Sequence, residues 1–93
     1  MTNEPMNLKI VYRRLKEELM RIENELVIIK EAKELLQRVS KGIKIYLSIG
    51  KLMFEVSKEE AMNRLMKEEE ILHLTRNKLL RELREIEAKL KEL

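Results

Sequence analysis

Few residues in this chain can do covalent or acid–base chemistry, and their spacing keeps them apart. His73 is the single histidine, and there is no cysteine. A common metal site needs several imidazoles, thiolates or carboxylates converging on one point. His73 therefore reads as a solvated helix residue, and neither a metal nor a cofactor is expected. Glu68-Glu69-Glu70 are three consecutive carboxylates, but successive residues of a helix point apart. They read as a solvated face with one member touching a packed seam. The two glycines, Gly42 and Gly50, stand alone, so no phosphate-cradling loop exists. Arg13-Arg14 and the lysines interleave with glutamates. The net charge of +3 is thus spread out, unlike the concentrated basic patch of a nucleic-acid binder. Catalysis needs tunable groups converging in a pocket. The expectation is a chain that is not an enzyme and does not bind nucleic acid.

Composition shows which elements hold what remains. Of 93 residues, 40% are charged, three are aromatic (two Tyr, one Phe), and there are two Gly and one Pro. That bias belongs to long helices. No secretion signal opens the chain and no uncharged apolar run is long enough for a bilayer. A cytoplasmic, membrane-free, elongated single domain over 1–93 is expected.

Two seams organise the helices. Leu8, Tyr12, Leu15, Leu19, Ile22, Leu26, Ile29 and Leu36 fall at steps of three and four, interrupted at Lys33. Met62, Leu65, Leu72, Leu79, Leu83, Ile86, Leu90 and Leu93 do the same, interrupted at Glu69 and Arg76. A 3.5-residue repeat keeps one helix face on a partner along its length. The spacing predicts helices over about 5–41 and 58–93, each about 54 Å long at about 1.5 Å per residue. Asn3 is a candidate cap for the first helix, with Pro5 in its first turn, and Gly42 a candidate left-handed cap at its end. Ser57-Lys58-Glu59-Glu60 fits a capping box for the second. Folded back on each other, the helices form an antiparallel coiled coil. One register sets Ile29 opposite Glu69 and Ile22 opposite Arg76; another, half a heptad away, sets Lys33 opposite Glu69. The seams alone allow both.

Between the helices lies a β-hairpin at about 43–56. With Gly50-Lys51 as a two-residue type II′ turn, Ile45 faces Val56, Leu47 faces Phe54 and Ile49 faces Leu52. All six share one apolar face, opposite Lys44, Tyr46, Ser48, Met53, Glu55 and Ser57. A lone hairpin is marginal in water and leaves two open edges. Ile45, Leu47, Ile49, Gly50, Leu52, Phe54 and Val56 are therefore the candidate oligomerisation residues. The competing arrangement is a monomeric cap folded onto its own helix ends.

Ile45-Tyr46-Leu47-Ser48-Ile49-Gly50-Lys51-Leu52, followed by Ser57-Lys58-Glu59-Glu60-Ala61 and Leu65, resembles the signature of β-class, single-hairpin prefoldin subunits. The flanking coiled-coil helices extend the resemblance over nearly the whole chain. It implies a mainly α fold: a long antiparallel two-helix coiled coil joined by one central β-hairpin that oligomerises into a β-barrel platform. It also implies an ATP-independent chaperone subunit that captures unfolded client proteins at its coiled-coil tips and delivers them to a group II chaperonin. The implied assembly partners are prefoldin α-class subunits, further copies of itself, or both. Leu47 stands where the family usually has Lys, and Val56 where it often has a polar residue, so this hairpin face is more apolar.

The residues suited to holding clients are apolar ones away from the seams, or at their open end. Ile10, Val11, Met20, Val27, Ile28, Ile71, Leu74 and Leu80 lie off the seams; a widened buried stripe accounts for part of these. Six methionines suit a tolerant surface, although Met62 and Met66 read as core filler near the hairpin. The candidate client-binding patch is Met6, Leu8, Ile10, Ile86, Leu90 and Leu93. A structural coiled-coil adaptor that binds one folded partner shares the same features and remains the alternative.

Overall fold

The structure, a computed structural model, describes residues 4–92; Asn3 and Leu93 lie outside that range. Its elements are helix α1 (Glu4–Arg38), strands β1 (Ile45–Ile49) and β2 (Leu52–Val56), and helix α2 (Lys58–Glu92). Each helix is 35 residues long, and together they make a rod of 66 × 24 × 15 Å. The rod's buried core is a single line of side chains. Leu19, Ile22, Ile29 and Leu36 of α1 and Leu79, Leu83 and Ile86 of α2 are buried, and every one of them is a seam residue.

Packing selects one of the two registers. Leu19 and Ile22 form one cluster with Leu79 and Leu83, and the Lys33 ammonium donates to Glu69 Oε1 at 2.8 Å. Both observations fit the register with Lys33 opposite Glu69. The other would set Ile22, only 1% exposed, against the charged head of Arg76. Burying that head unpaired costs far more than pairing two half-buried charges with each other.

The end of α1 differs from the expectation. The helix stops at Arg38, not near Lys41, and Gly42 is not its cap. Val39 N–H bonds Leu36 O at 3.3 Å, tightening the last turn, and Ile43 N–H bonds Ser40 O at 3.3 Å. Gly42 has φ +88° at the third position of that Ser40–Ile43 turn, the geometry of a type II turn. The chain must reverse into β1 here, and the turn takes residues the helix would otherwise keep. Lys58 reaches across to donate to Gln37 O at 3.2 Å, which satisfies one of the end carbonyls.

α2 begins with the expected capping box. Glu60 N–H bonds Ser57 Oγ at 3.0 Å, and Ser57 N–H bonds Glu60 Oε1 at 3.2 Å. The strands are antiparallel, with Ile45 opposite Val56, Leu47 opposite Phe54 and Ile49 opposite Leu52. Gly50 has φ +59°, and among the described residues no non-glycine has positive φ. A I′ turn needs positive φ at both central residues, so Lys51 excludes it and II′ is the type that fits.

Candidate functional site

The rod has two chemically distinct ends, and each is built from residues that its interior does not use. At the open end, the start of α1 lies beside the end of α2. Met6 is 64% exposed and Ile10 42%, while Leu8 and Leu90 are half-buried between the helices. Ile86 departs from the expected patch. It is 9% exposed, because three- and seven-residue steps from Leu83 and Leu79 place it on the seam. It props the tip from inside and offers no surface. Leu93 lies outside the described residues. Tyr12 fastens this end: its hydroxyl donates to Glu87 Oε1 at 3.3 Å, and the Lys16 ammonium sits 5.8 Å from the ring centroid, within cation–π range.

At the other end, the hairpin's apolar face is covered unevenly. Ile45, Leu47 and Val56, nearest the helices, are half-buried. Ile49, Leu52 and Phe54 are exposed. The monomeric cap is thus realised at the base of the hairpin only, and its tip stays bare.

The flank of the rod carries surface that seam logic underestimated. Ile28, Ile71 and Leu74 are exposed as expected, and so are Leu35, Ile43 and Met66; Met66 thus departs from the core position its spacing predicts. Met62, the other supposed filler, is half-buried. Leu35 had a signal: it repeats Ile28 one heptad on, so the exposure of one implies that of the other. Two apolar grooves run along this flank. One is lined by Glu25, Ile28, Ile29, Glu68, Ile71 and Leu72. The other, of about 400 Å³, lies at the elbow among α1, β1 and the start of α2.

The charged residues do not converge. Arg21 bonds Glu18 and Glu25 along its own helix, and Arg64 bonds Glu68 along the other. The Arg21 guanidinium, hydrogen-bonded to Glu18, holds that carboxyl below its ordinary value, and Glu18 in turn raises Arg21. Among the described residues no group of three or more His, Cys, Asp or Glu side chains is placed to hold a metal ion. No described helix is long and apolar enough to cross a membrane. The exposed surfaces at the two ends and along the flank are apolar.

Comparison with known proteins agrees with that reading of the architecture. The prefoldin subunit family matches residues 1–93. A prefoldin subunit beta from Thermococcus onnurineus (strain NA1) is 33% identical over 73 residues, which are 78% of this chain and 63% of that protein. The chain therefore spans somewhat less than two thirds of that relative. The crystal structure of the prefoldin beta2 subunit from Thermococcus strain KS-1 superposes with a TM-score of 0.88 at 18% identity, covering 97% of this chain and 96% of that one. The prefoldin beta subunit of the same strain superposes at 0.86 with 21% identity, covering 96% and 78%.

Proposed function

The chain belongs to the prefoldin subunit family, and on that premise we propose that it is a subunit of an ATP-independent, cytoplasmic molecular chaperone. Its hairpin joins it to other prefoldin subunits, its open end holds unfolded proteins, and the held protein passes to a group II chaperonin. The observation that carries this reading is the separation of two uncovered apolar surfaces to opposite ends of a 66 Å rod. One end is free to hold clients while the other is engaged in assembly.

Magnitudes explain why assembly and capture belong together. Covering one apolar side chain contributes about 1.5–3 kcal/mol. Two such contacts on Met6 and Ile10 reach about 4 kcal/mol, which corresponds to a dissociation constant of about 1 mM. One tip is too weak to retain a client. Several tips held at fixed spacing raise the effective concentration, and their combined grip is far tighter without any new contact. Weak individual contacts also suit clients with no common sequence, and flexible Met6 adapts to each.

The test is the double variant Met6→Ser/Ile10→Ser, which leaves half-buried Leu8 and Leu90 in place. Suppression of aggregation of several chemically denatured proteins should be lost, while the mass of the assembly stays unchanged. Undiminished suppression would remove the site from the open end. Protection of one protein and no other would favour the adaptor that recognises a single folded partner.

A further inference from the structure

The flank groove beside Ile28 and Ile71 is built twice over from one short pattern. It is lined by Glu25, Ile28 and Ile29 of α1 and by Glu68, Ile71 and Leu72 of α2, the same residue types in the same order and at the same spacing. The likeness extends to the rim. Arg21 Nη1 donates to Glu25 Oε1 at 2.7 Å, and Arg64 Nε donates to Glu68 Oε1 at 3.2 Å. Arg-x-x-x-Glu-x-x-Ile, followed by Ile or Leu, thus occurs once on each helix. Even the exposure matches, at 63% for Ile28 and 62% for Ile71. Because the helices run antiparallel, the repeated pattern gives the groove an approximate two-fold axis normal to the rod.

We propose that this face of the rod packs against the same face of a second copy, with the rods parallel and Ile28 of each seated against Ile71 of the other. Two features select that occupant. The first is charge. Each rim carboxylate already holds its own guanidinium, so the groove is neutral and leaves no unpaired charge for an acidic or a basic partner. Two like faces therefore meet without the repulsion that like charges would impose. The second is symmetry. A single helix of another protein would meet the same chemistry in either direction, whereas a second copy presents a matching two-fold face in an isologous contact. On one rod the ion pairs lie at opposite corners of the groove. Arg21–Glu25 sits toward the open end on α1, and Arg64–Glu68 toward the hairpin on α2. A second rod turned to face the first sets its pairs at the two remaining corners, so an apolar centre is ringed by four ion pairs. Size decides when the contact forms. Six lining residues a side fall far short of the about 20–30 in an interface that is stable alone. The rods therefore pair when their hairpins hold them side by side at high effective concentration. The contact thus rests on the assembly role proposed for the hairpin, and parallel rods leave both hairpins at one end.

The native chain has no cysteine, so single-cysteine variants report the contact cleanly. Ile28→Cys and Ile71→Cys, both at exposed positions, are made separately in the full chain, mixed, weighed by native mass spectrometry and treated with a short bis-maleimide. The mixture should give covalent dimers with one chain of each variant. Exchanging Ile28→Cys for Lys30→Cys should lose them, because Lys30 is exposed and turned about 200° around α1 from Ile28. A multi-chain mass with no dimer from the first mixture, or with equal yield from the second, overturns the rod contact and leaves hairpin assembly standing. A single-chain mass overturns both together. As a second measurement, energy transfer between dyes on Lys9→Cys chains reports how close the open ends lie. Adding Ile28→Glu and Ile71→Glu should lower that transfer while the mass of the assembly stays the same. Unchanged transfer overturns the parallel pairing.

Discussion

Lys33 and Glu69 occupy seam positions that elsewhere hold leucine and isoleucine. Their side chains are 26% and 25% exposed, between full burial and full solvation, and the 2.8 Å contact replaces part of the lost hydration. A charge here specifies register more than it adds stability, because only one alignment gives each a partner. Lys33→Glu should lower the melting temperature by about 4–8 °C, the shift that about 1 kcal/mol produces in a domain of this size. Glu69→Lys should do the same, and the double exchange should recover most of the loss in circular-dichroism melts. A double variant no more stable than either single one would show that the pair does not set the register. The Glu18–Arg21 pair is different in kind. Glu18 is partly exposed at the surface, with 43% of its side chain open to solvent, and its lowered pKa means any stability it contributes is present at neutral pH and lost in acid as the carboxyl protonates. Solvent screens it, so it has little say in the fold.

At the scale of elements, the start of α2 is specified more locally than the end of α1. Ser57 and Glu60 satisfy each other's backbone groups within four residues, and this needs nothing from the rest of the chain. Ser57→Ala should cost about 1 kcal/mol, read as a lower melting midpoint without change in the assembly's mass. An unaltered midpoint would mean that tertiary packing, not the cap, holds this helix start. The end of α1 has no comparable local signal. Its position follows from the Ser40–Ile43 turn and from Lys58 binding Gln37 O. The second contact exists only once the two helices lie side by side. The first helix therefore ends at Arg38, short of the Lys41 boundary that its local pattern predicts, while α2 starts where its own residues place it.

The molecule as a whole separates its stability from its assembly. The tightest cluster, Leu19, Ile22, Leu79 and Leu83, lies in the half of the rod away from the hairpin. The half nearer the hairpin carries the Lys33–Glu69 interruption and the exposed elbow. Leu83, 3% exposed, belongs to neither the exposed open end nor the hairpin. Leu83→Ala should cost about 2–5 kcal/mol, lower the melting temperature and weaken aggregation suppression by loosening the tip. Assembly mass should persist, because the hairpin is built by its own register and turn. Loss of assembly in step with the helix signal would show that the two ends are not independent.

The heptad seams, the alternation through the hairpin, Gly50 and the capping box were all readable as residue types at fixed spacing. Each is a local relation, because periodicity alone settles which side chains share a face. The same logic found Met6 and Ile10 as surface and located the open edges. It went wrong at Ile86, where membership of the tip patch and of the seam pointed to different surroundings. Only packing showed that the seam prevails. Register was likewise beyond local pattern, since two alignments half a heptad apart match equally well until Ile22 must choose between Arg76 and leucine. The elbow groove was least legible of all. It joins residues from Ala32 to Leu65, brought together by a turn, a strand leaning on α2 and a helix that ends early. A hollow is made by several elements meeting imperfectly, and no single stretch of sequence carries it.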